Sequence, residues 1–331
     1  MPYNGEMSHP EIIIPFALPP AEHAKDLIKL LASTGSKDGL ATLLARAHSI
    51  RRTQFDDFSM QLPHEVWLSE QHHYKPLNQQ IQRQSIALPD GYWFLIHPVN
   101  LHIASNHLVL TDYRQLALAE QDARALFEKA EMLCQERGLQ LVYGDALHWF
   151  LRADDWSDFT TTSPDAACGR NIEIWSPKGK QVLAWRKLQN EIQMEWFIHP
   201  VQEQRQLRGE KTINGLWLWS GTAFPQPPEA QNAGPVRINP TFDEIIRTPH
   251  LNLIDRLSSA ALASDWGSWA EMMTELDRDL FMPLYSALKK RQIGPIHLIL
   301  SNNNSLLSAQ TSSNSLLQFW RGASLKALFQ S

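Results

Sequence analysis

The stretch HPVQEQRQLRGEKTINGLWLW, residues 199–219, is the one whose reading decides the fold. Pro200 forces an extended or turn conformation on His199. A charged run with Arg205 and Arg208 stops at Gly209, and Asn214-Gly215 is a turn dipeptide. Leu216-Trp217-Leu218-Trp219 then alternates as a strand, with both tryptophans on one face and both leucines on the other. A charged turn so close to two large aromatics predicts a pocket wall. The leucine face is expected to meet the core, leaving the tryptophan face toward two long helices or toward a cleft between domains, with at least one ring on the cleft side.

Upstream, TTSPDAACGR (161–170) supplies a second turn with Thr161, Thr162, Asp165 and Gly169. The 199–219 stretch and the Thr161-Thr162-Ser163-Pro164-Asp165 turn with Gly169 resemble the archaeal-type cofactor-independent phosphoglycerate mutases of the alkaline phosphatase superfamily, while the run Leu188-Gln189-Asn190-Glu191-Ile192-Gln193-Met194 followed by His199-Pro200-Val201 resembles the RpfE-type bacterial proteins. The chain as a whole resembles the RpfE-type bacterial proteins, described as mutase-related or regulatory. The resemblance covers about residues 92–225 and is vaguer on either side. It implies an alkaline phosphatase-like α/β fold, a doubly wound sheet carrying an inserted α+β domain. The expected domains are a discontinuous one over 1–90 and 226–331, with the insert at 91–225.

Composition agrees with a globular protein of this size. The chain has 331 residues, 43% hydrophobic and 20% charged, enough for two domains with buried cores. A net charge of −5 excludes a nucleic-acid binder that works through concentrated positive charge. Two cysteines, Cys134 and Cys168, give no zinc or disulfide spacing and suit a reducing compartment. The first twenty residues lack a basic region before their short apolar run, and no run is long enough to span a membrane. A cytoplasmic protein with no membrane partner is the expectation.

Element by element, Glu11–Leu18 is expected as a strand, followed by helices over 21–31 and 38–48, the second capped by Asp38. Residues 51–90 carry weak periodicity and predict one helix near 62–70 and otherwise loop. Strands are expected at 92–98, 101–104, 107–110, 139–143 and 148–152, with long helices at 119–137 and 180–198. Proline marks 224–240 as a linker, and a helix over 271–290 should kink at Pro283. A strand at 296–300 and a short element at 315–320 close the chain. The isoleucine runs 12–16 and 296–300 are expected to be parallel neighbours in one sheet.

The chemistry implied by the resemblance is phosphoryl transfer by two divalent metals and a Ser or Thr nucleophile. Its ligands would include an Asp after the first strand and an Asp-His pair after the late one. Here the first strand runs into Pro15-Phe16-Ala17, and the late one into Ser301-Asn302-Asn303-Asn304. Neutral amides do not replace anionic ligands for such ions. His72-His73 and Asp154, Asp155 and Asp158 read as hydrated loops, and His97 and His102 lie at odd spacing that puts them on opposite sides of a continuous strand. There is no Gly-rich phosphate loop, no G-x-S-x-G and no H-E-x-x-H. Pro98 stands where the mutases carry a phosphate-binding arginine, and Pro164 where they carry a histidine. No metal, cofactor or catalytic residue is therefore expected. The expected binding residues are Thr161, Thr162, Asp165, His199, Arg205, Asn214, Trp217 and Trp219, for a small anion or a protein partner. The competing readings are an active mutase or metal-dependent phosphatase whose ligands lie elsewhere, and a structural interaction module anchored by tryptophans.

Overall fold

The computed structural model describes residues 8–33, 38–104, 106–225, 236–247 and 250–329. In chain order its strands are β1 (Glu11–Ile14), β2 (Ser49–Gln54), β3 (Gly91–Val99), β4 (Leu101–Ala104), β5 (His107–Leu110) and β6 (Gln140–Tyr143). They continue as β7 (Trp149–Arg152), β8 (Gly215–Phe224), β9 (Val236–Ile238), β10 (Leu251–Leu253), β11 (Ile296–Ser301) and β12 (Ser305–Thr311). The chain divides into two compact units, Met1–His72 with Gly234–Ser331, and His73–Ala233. The division at His72/His73 places residues 73–90 with the second unit, earlier than the change of composition at Asp90-Gly91 suggests.

The first unit is a mixed α/β layer built on the sheet β2-β12-β11-β1-β10-β9. β1 lies between β10 and β11, parallel to both, with Ile12 opposite Leu298 and Ile14 opposite Leu300. The expected neighbourhood of the two isoleucine runs is therefore present. A strand buried on both faces needs a continuous apolar run, and Ile12, Ile13 and Ile14 are all buried. Ile12, Ile14, Leu298, Leu300, Leu307 and Ala309 pack on helices at both ends of the chain, among them Ala24–Ser33, Gly39–Ala45 and Trp266–Leu276. The opposite face is crossed by the Pro63–His72 helix, which sets His64 on Ser301 and Trp67 against His297.

Several expectations are corrected here. β1 ends at Ile14, four residues short of Leu18, and Phe16 turns into the left-handed region at φ 57°. Residues 51–90 hold β2 and a helix, Pro76–Gln84, besides the expected one. β2 reads SIRRTQ because it is an edge strand, and charged edges discourage pairing with other chains. Asp38 sits before the Gly39–Ala45 helix but adopts φ 62° and makes no side-chain cap. The kink expected at Pro283 is a π-helical turn, Asp277–Phe281, before the Met282–Lys289 helix. Of the expected linker, residues 226–235 lie outside the described residues.

The second unit is built on the antiparallel sheet β6-β7-β3-β8, with β4 and β5 as a separate ribbon. One face carries Phe94, Ile96, Trp149, Leu151, Leu216 and Leu218, packed on the long helices Glu120–Gln135 and Val182–Phe197. Trp93, Leu95, Phe150 and Trp219 belong to the other face and pack with Leu77 and Ile81 of the Pro76–Gln84 helix. The leucines of the Leu-Trp-Leu-Trp strand thus meet the core, and the tryptophans lie on the side away from the long helices. No helix among the described residues is long and apolar enough to cross a membrane.

Candidate functional site

The charged run after His199 is a helix, Pro200–Leu207, rather than an open turn. The His199 ring nitrogen Nδ1 accepts the Val201 N–H at 3.3 Å as its N-cap. This winding carries Arg205 inward, where it is 0% exposed. Its guanidinium donates to the carbonyls of Lys211 and Leu116, and lies 3.1 Å from Glu210. A guanidinium spent on carbonyls and a carboxylate holds a loop together; it has little left for a ligand. Arg208, on the outside, pairs with Asp122 and Glu210.

Asn214 spends its side-chain amide on one residue. Its Oδ1 accepts the Leu101 N–H at 2.7 Å and its Nδ2 donates to the Leu101 carbonyl at 2.8 Å. Trp217, 3% exposed, donates its indole N–H to the Thr162 carbonyl at 2.8 Å, so the TTSPD turn and the tryptophan strand are brought together. Asp165 meets a residue that sequence reasoning missed. Arg114 grips it with two bonds, 2.6 and 3.2 Å, while its Nε reaches Asp112 at 2.9 Å. Burial works against the charge on Arg114, but Asp165, Tyr113 and Asp112 outweigh it and raise its pKa well above the ordinary value. Burial likewise pushes the nearby Cys168 thiol up to about 12, which leaves it inert as a nucleophile.

Two candidate residues line a cleft of about 140 Å³ along the edge of β8. Asn214 and Trp217 form one side, and Arg186, Gln189, Asn190 and Gln193 of the Val182–Phe197 helix the other. Gln189 donates to the Leu216 carbonyl at 2.7 Å, which closes part of the strand edge. Arg186 is exposed and has no ion-pair partner among the described residues. The cleft therefore offers the side chains of Asn190 and Gln193 and one uncommitted cation, while the Asn214 and Gln189 amides and the Trp217 indole N–H are already bonded within the protein. Of the remaining candidates, Thr161 and Asp165 belong to the turn behind Trp217, His199 caps its helix, Arg205 is interior, and Trp219 lies farther along the strand.

In the first unit, Ser308 Oγ lies 2.8 Å from His297 Nε2, and His297 Nδ1 lies 2.7 Å from Glu11 Oε1. These contacts have the spacing of a nucleophile relay. Ser308, however, stands in mid-strand, paired with Ile299 on one side and Arg51 on the other, so the backbone around it is committed to the ladders and supplies no oxyanion donors. The row ties three strands together. At the end of β11, Asn302 Oδ1 accepts the N–H groups of Asn304 and Ser305, and Asn304 donates to Asp57. These amides turn β11 into β12 and do not fit a pair of divalent metals. Among the described residues no three His, Cys, Asp or Glu side chains converge to hold a metal ion.

The chain matches no family model and no curated protein. Among solved structures it is similar to a cofactor-independent phosphoglycerate mutase from Thermoplasma acidophilum, at 12% identity and TM-score 0.38, over 92% of this chain and 90% of that one. It is also similar to the PH0037 protein from Pyrococcus horikoshii, at 12% identity and TM-score 0.43, over 92% of this chain and 88% of that one.

Proposed function

We propose that this chain is a catalytically degenerate, phosphoglycerate mutase-like protein that works by binding a small anionic metabolite in its second unit, in a regulatory role. The observation that carries the reading is the cleft beside β8, whose lining includes Asn214, Trp217 and the uncommitted Arg186. Support comes from the sequence resemblance over residues 92–225 and from the strand ends of the first unit. There Phe16, Ser301 and Asn302 stand where the resembling enzymes carry metal ligands. A guanidinium recognises carboxylate and phosphate oxygens through its planar fork.

Calorimetric titration with 3-phosphoglycerate tests the reading. Saturable binding is expected, weakened at least tenfold in Arg186→Glu. Turnover of 3-phosphoglycerate with manganese would favour the active-mutase alternative instead. A second reading, a protein-interaction module, is favoured by the outer face of the Val182–Phe197 helix and the residue after it, where Leu183, Met194, Phe197 and Ile198 are all exposed.

A further inference from the structure

A cluster on the tryptophan face, separate from the Arg186 cleft, carries an inference of its own. His97 of β3 is fully buried. Its ring stacks on Tyr113 with centroids 4.2 Å apart, meets His148 edge-on at 5.0 Å, and lies 5.9 Å from the ring of Trp219. His148 is itself oriented by Asp145, whose Oδ1 lies 2.8 Å from Nδ1 and also accepts the backbone N–H groups of Leu147 and His148.

The protonation of His97 follows from its contacts. Its Nδ1 lies 2.7 Å from the Leu147 carbonyl oxygen, and a carbonyl can only accept, so Nδ1 carries the proton. Burial, and then the charge on His148, push the His97 pKa well below its ordinary value, so the ring holds no second proton at neutral pH. Nε2 is left as a bare acceptor, buried and without a hydrogen-bond partner among the described residues. The Trp219 indole N–H is also buried without one, and it can only donate.

An unmatched acceptor and an unmatched donor thus stand on two neighbouring rings. A carboxylate, or a fully ionised phosphate, would satisfy the indole but has no proton for Nε2. An ammonium would satisfy Nε2 but cannot accept from the indole. An oxygen that both donates and accepts satisfies both. We infer that His97 and Trp219 form a subsite for an alcohol hydroxyl, whose O–H donates to His97 Nε2 while its oxygen accepts from Trp219 Nε1–H. Tyr113, His148 and Trp219 are each partly exposed, while the two nitrogens themselves are shielded from solvent, so a bound hydroxyl would be enclosed.

Water has the same donor and acceptor capacity, and the test must separate the two. The probes are methanol, glycerol and glycerate, with propionate as the control without a hydroxyl. They are titrated into the ¹⁵N-labelled full chain while the His97 ring nitrogens and the Trp219 indole N–H are followed by NMR. Saturable shifts at both sites with the hydroxyl compounds and none with propionate are expected. Trp219→Phe, checked for folding by its thermal midpoint, should weaken the response at His97 at least fivefold. Arg186→Glu should leave the response to uncharged glycerol in place, which separates this subsite from the proposed anion cleft. Resonances unmoved by every hydroxyl probe, or an ordered water that none of them displaces, would overturn the inference.

Discussion

Asp277 caps a helix that begins 238 residues earlier in the chain: its Oδ1 accepts the Leu40 N–H at 2.8 Å, and its Oδ2 the Gly39 N–H at 3.3 Å. Two orphan donors of the Gly39–Ala45 helix are satisfied by a carboxylate from a π-helical turn, and its negative charge lies at the positive end of the helix dipole. Asp277→Ala should cost about 1–3 kcal/mol, since both the cap and a buried hydrogen-bond pair are lost. Urea unfolding measures it. Gly39 is part of the same joint, because a Cβ there would sit 2.6 Å from the Met282 nitrogen. Gly39→Ala should therefore destabilise as well, despite alanine's better helix propensity.

The Arg114–Asp165 grip should be intolerant of a conservative change. Lysine cannot supply two parallel bonds, so Arg114→Lys should cost about 1–3 kcal/mol, and Asp165→Asn a similar amount. About a quarter of the arginine side chain faces water, which keeps the cost below that of a fully buried pair. If the two losses arise from one interaction, the double variant should lose less than their sum, and a double-mutant cycle checks this.

Acid should loosen the first unit through Glu11. Burial alone would raise its carboxyl, but hydrogen bonds from His297 and His72 outweigh it and pull the pKa down to about 2. A depressed carboxyl stabilises the fold above its unfolded pKa near 4.5, and the stabilisation is lost as pH falls from there toward 2. The gap corresponds to about 3 kcal/mol at most, and partial exposure brings it nearer 1–2 kcal/mol. Thermal unfolding between pH 6 and pH 3 should show a shallower acid limb in Glu11→Gln than in the parent.

Trp217 separates hydrogen bonding from packing. Trp217→Phe removes the N–H that reaches the Thr162 carbonyl and should cost about 1 kcal/mol beyond the difference in ring size. Trp217→Ala also empties a buried site and should cost about 3–5 kcal/mol. If the ring lines a ligand cleft, the phenylalanine variant should lose binding out of proportion to its loss of stability. Chemical denaturation beside a 3-phosphoglycerate titration distinguishes the two.

What the sequence makes legible here is what hydrophobic pattern controls. The isoleucine runs of β1 and β11 and the two long helices follow from continuous or 3.6-periodic apolar residues. β2 carries no such signal, because an edge strand of arginines has no buried face to advertise. The Pro76–Gln84 helix is faint because only Leu77 and Ile81 anchor it. Within the candidate site, the shared face of the tryptophans was readable locally, whereas Asn214-Gly215, expected as a turn, leads directly into β8 with Asn214 bonded to Leu101. The Arg114 partner of Asp165 was not, since it lies 51 residues away and nothing at either position names the other. Nor did the charge on Arg205 reveal its burial; the helix phase set by the His199 cap decides that, and a charged run shows no phase until its ends are known.

The placement of β1 between β10 and β11 also sets an order of events during synthesis. Glu11–Ile14 leaves the ribosome well before both strands that flank it, which are drawn from residues 251–301. At about 5–20 residues per second the isoleucine run waits tens of seconds for its neighbours, while all the residues of the second unit emerge in the meantime. During that interval the isoleucines of a short strand have neither edge paired. Until residues 251–301 emerge, the isoleucine run is thus a segment open to aggregation and to chaperones.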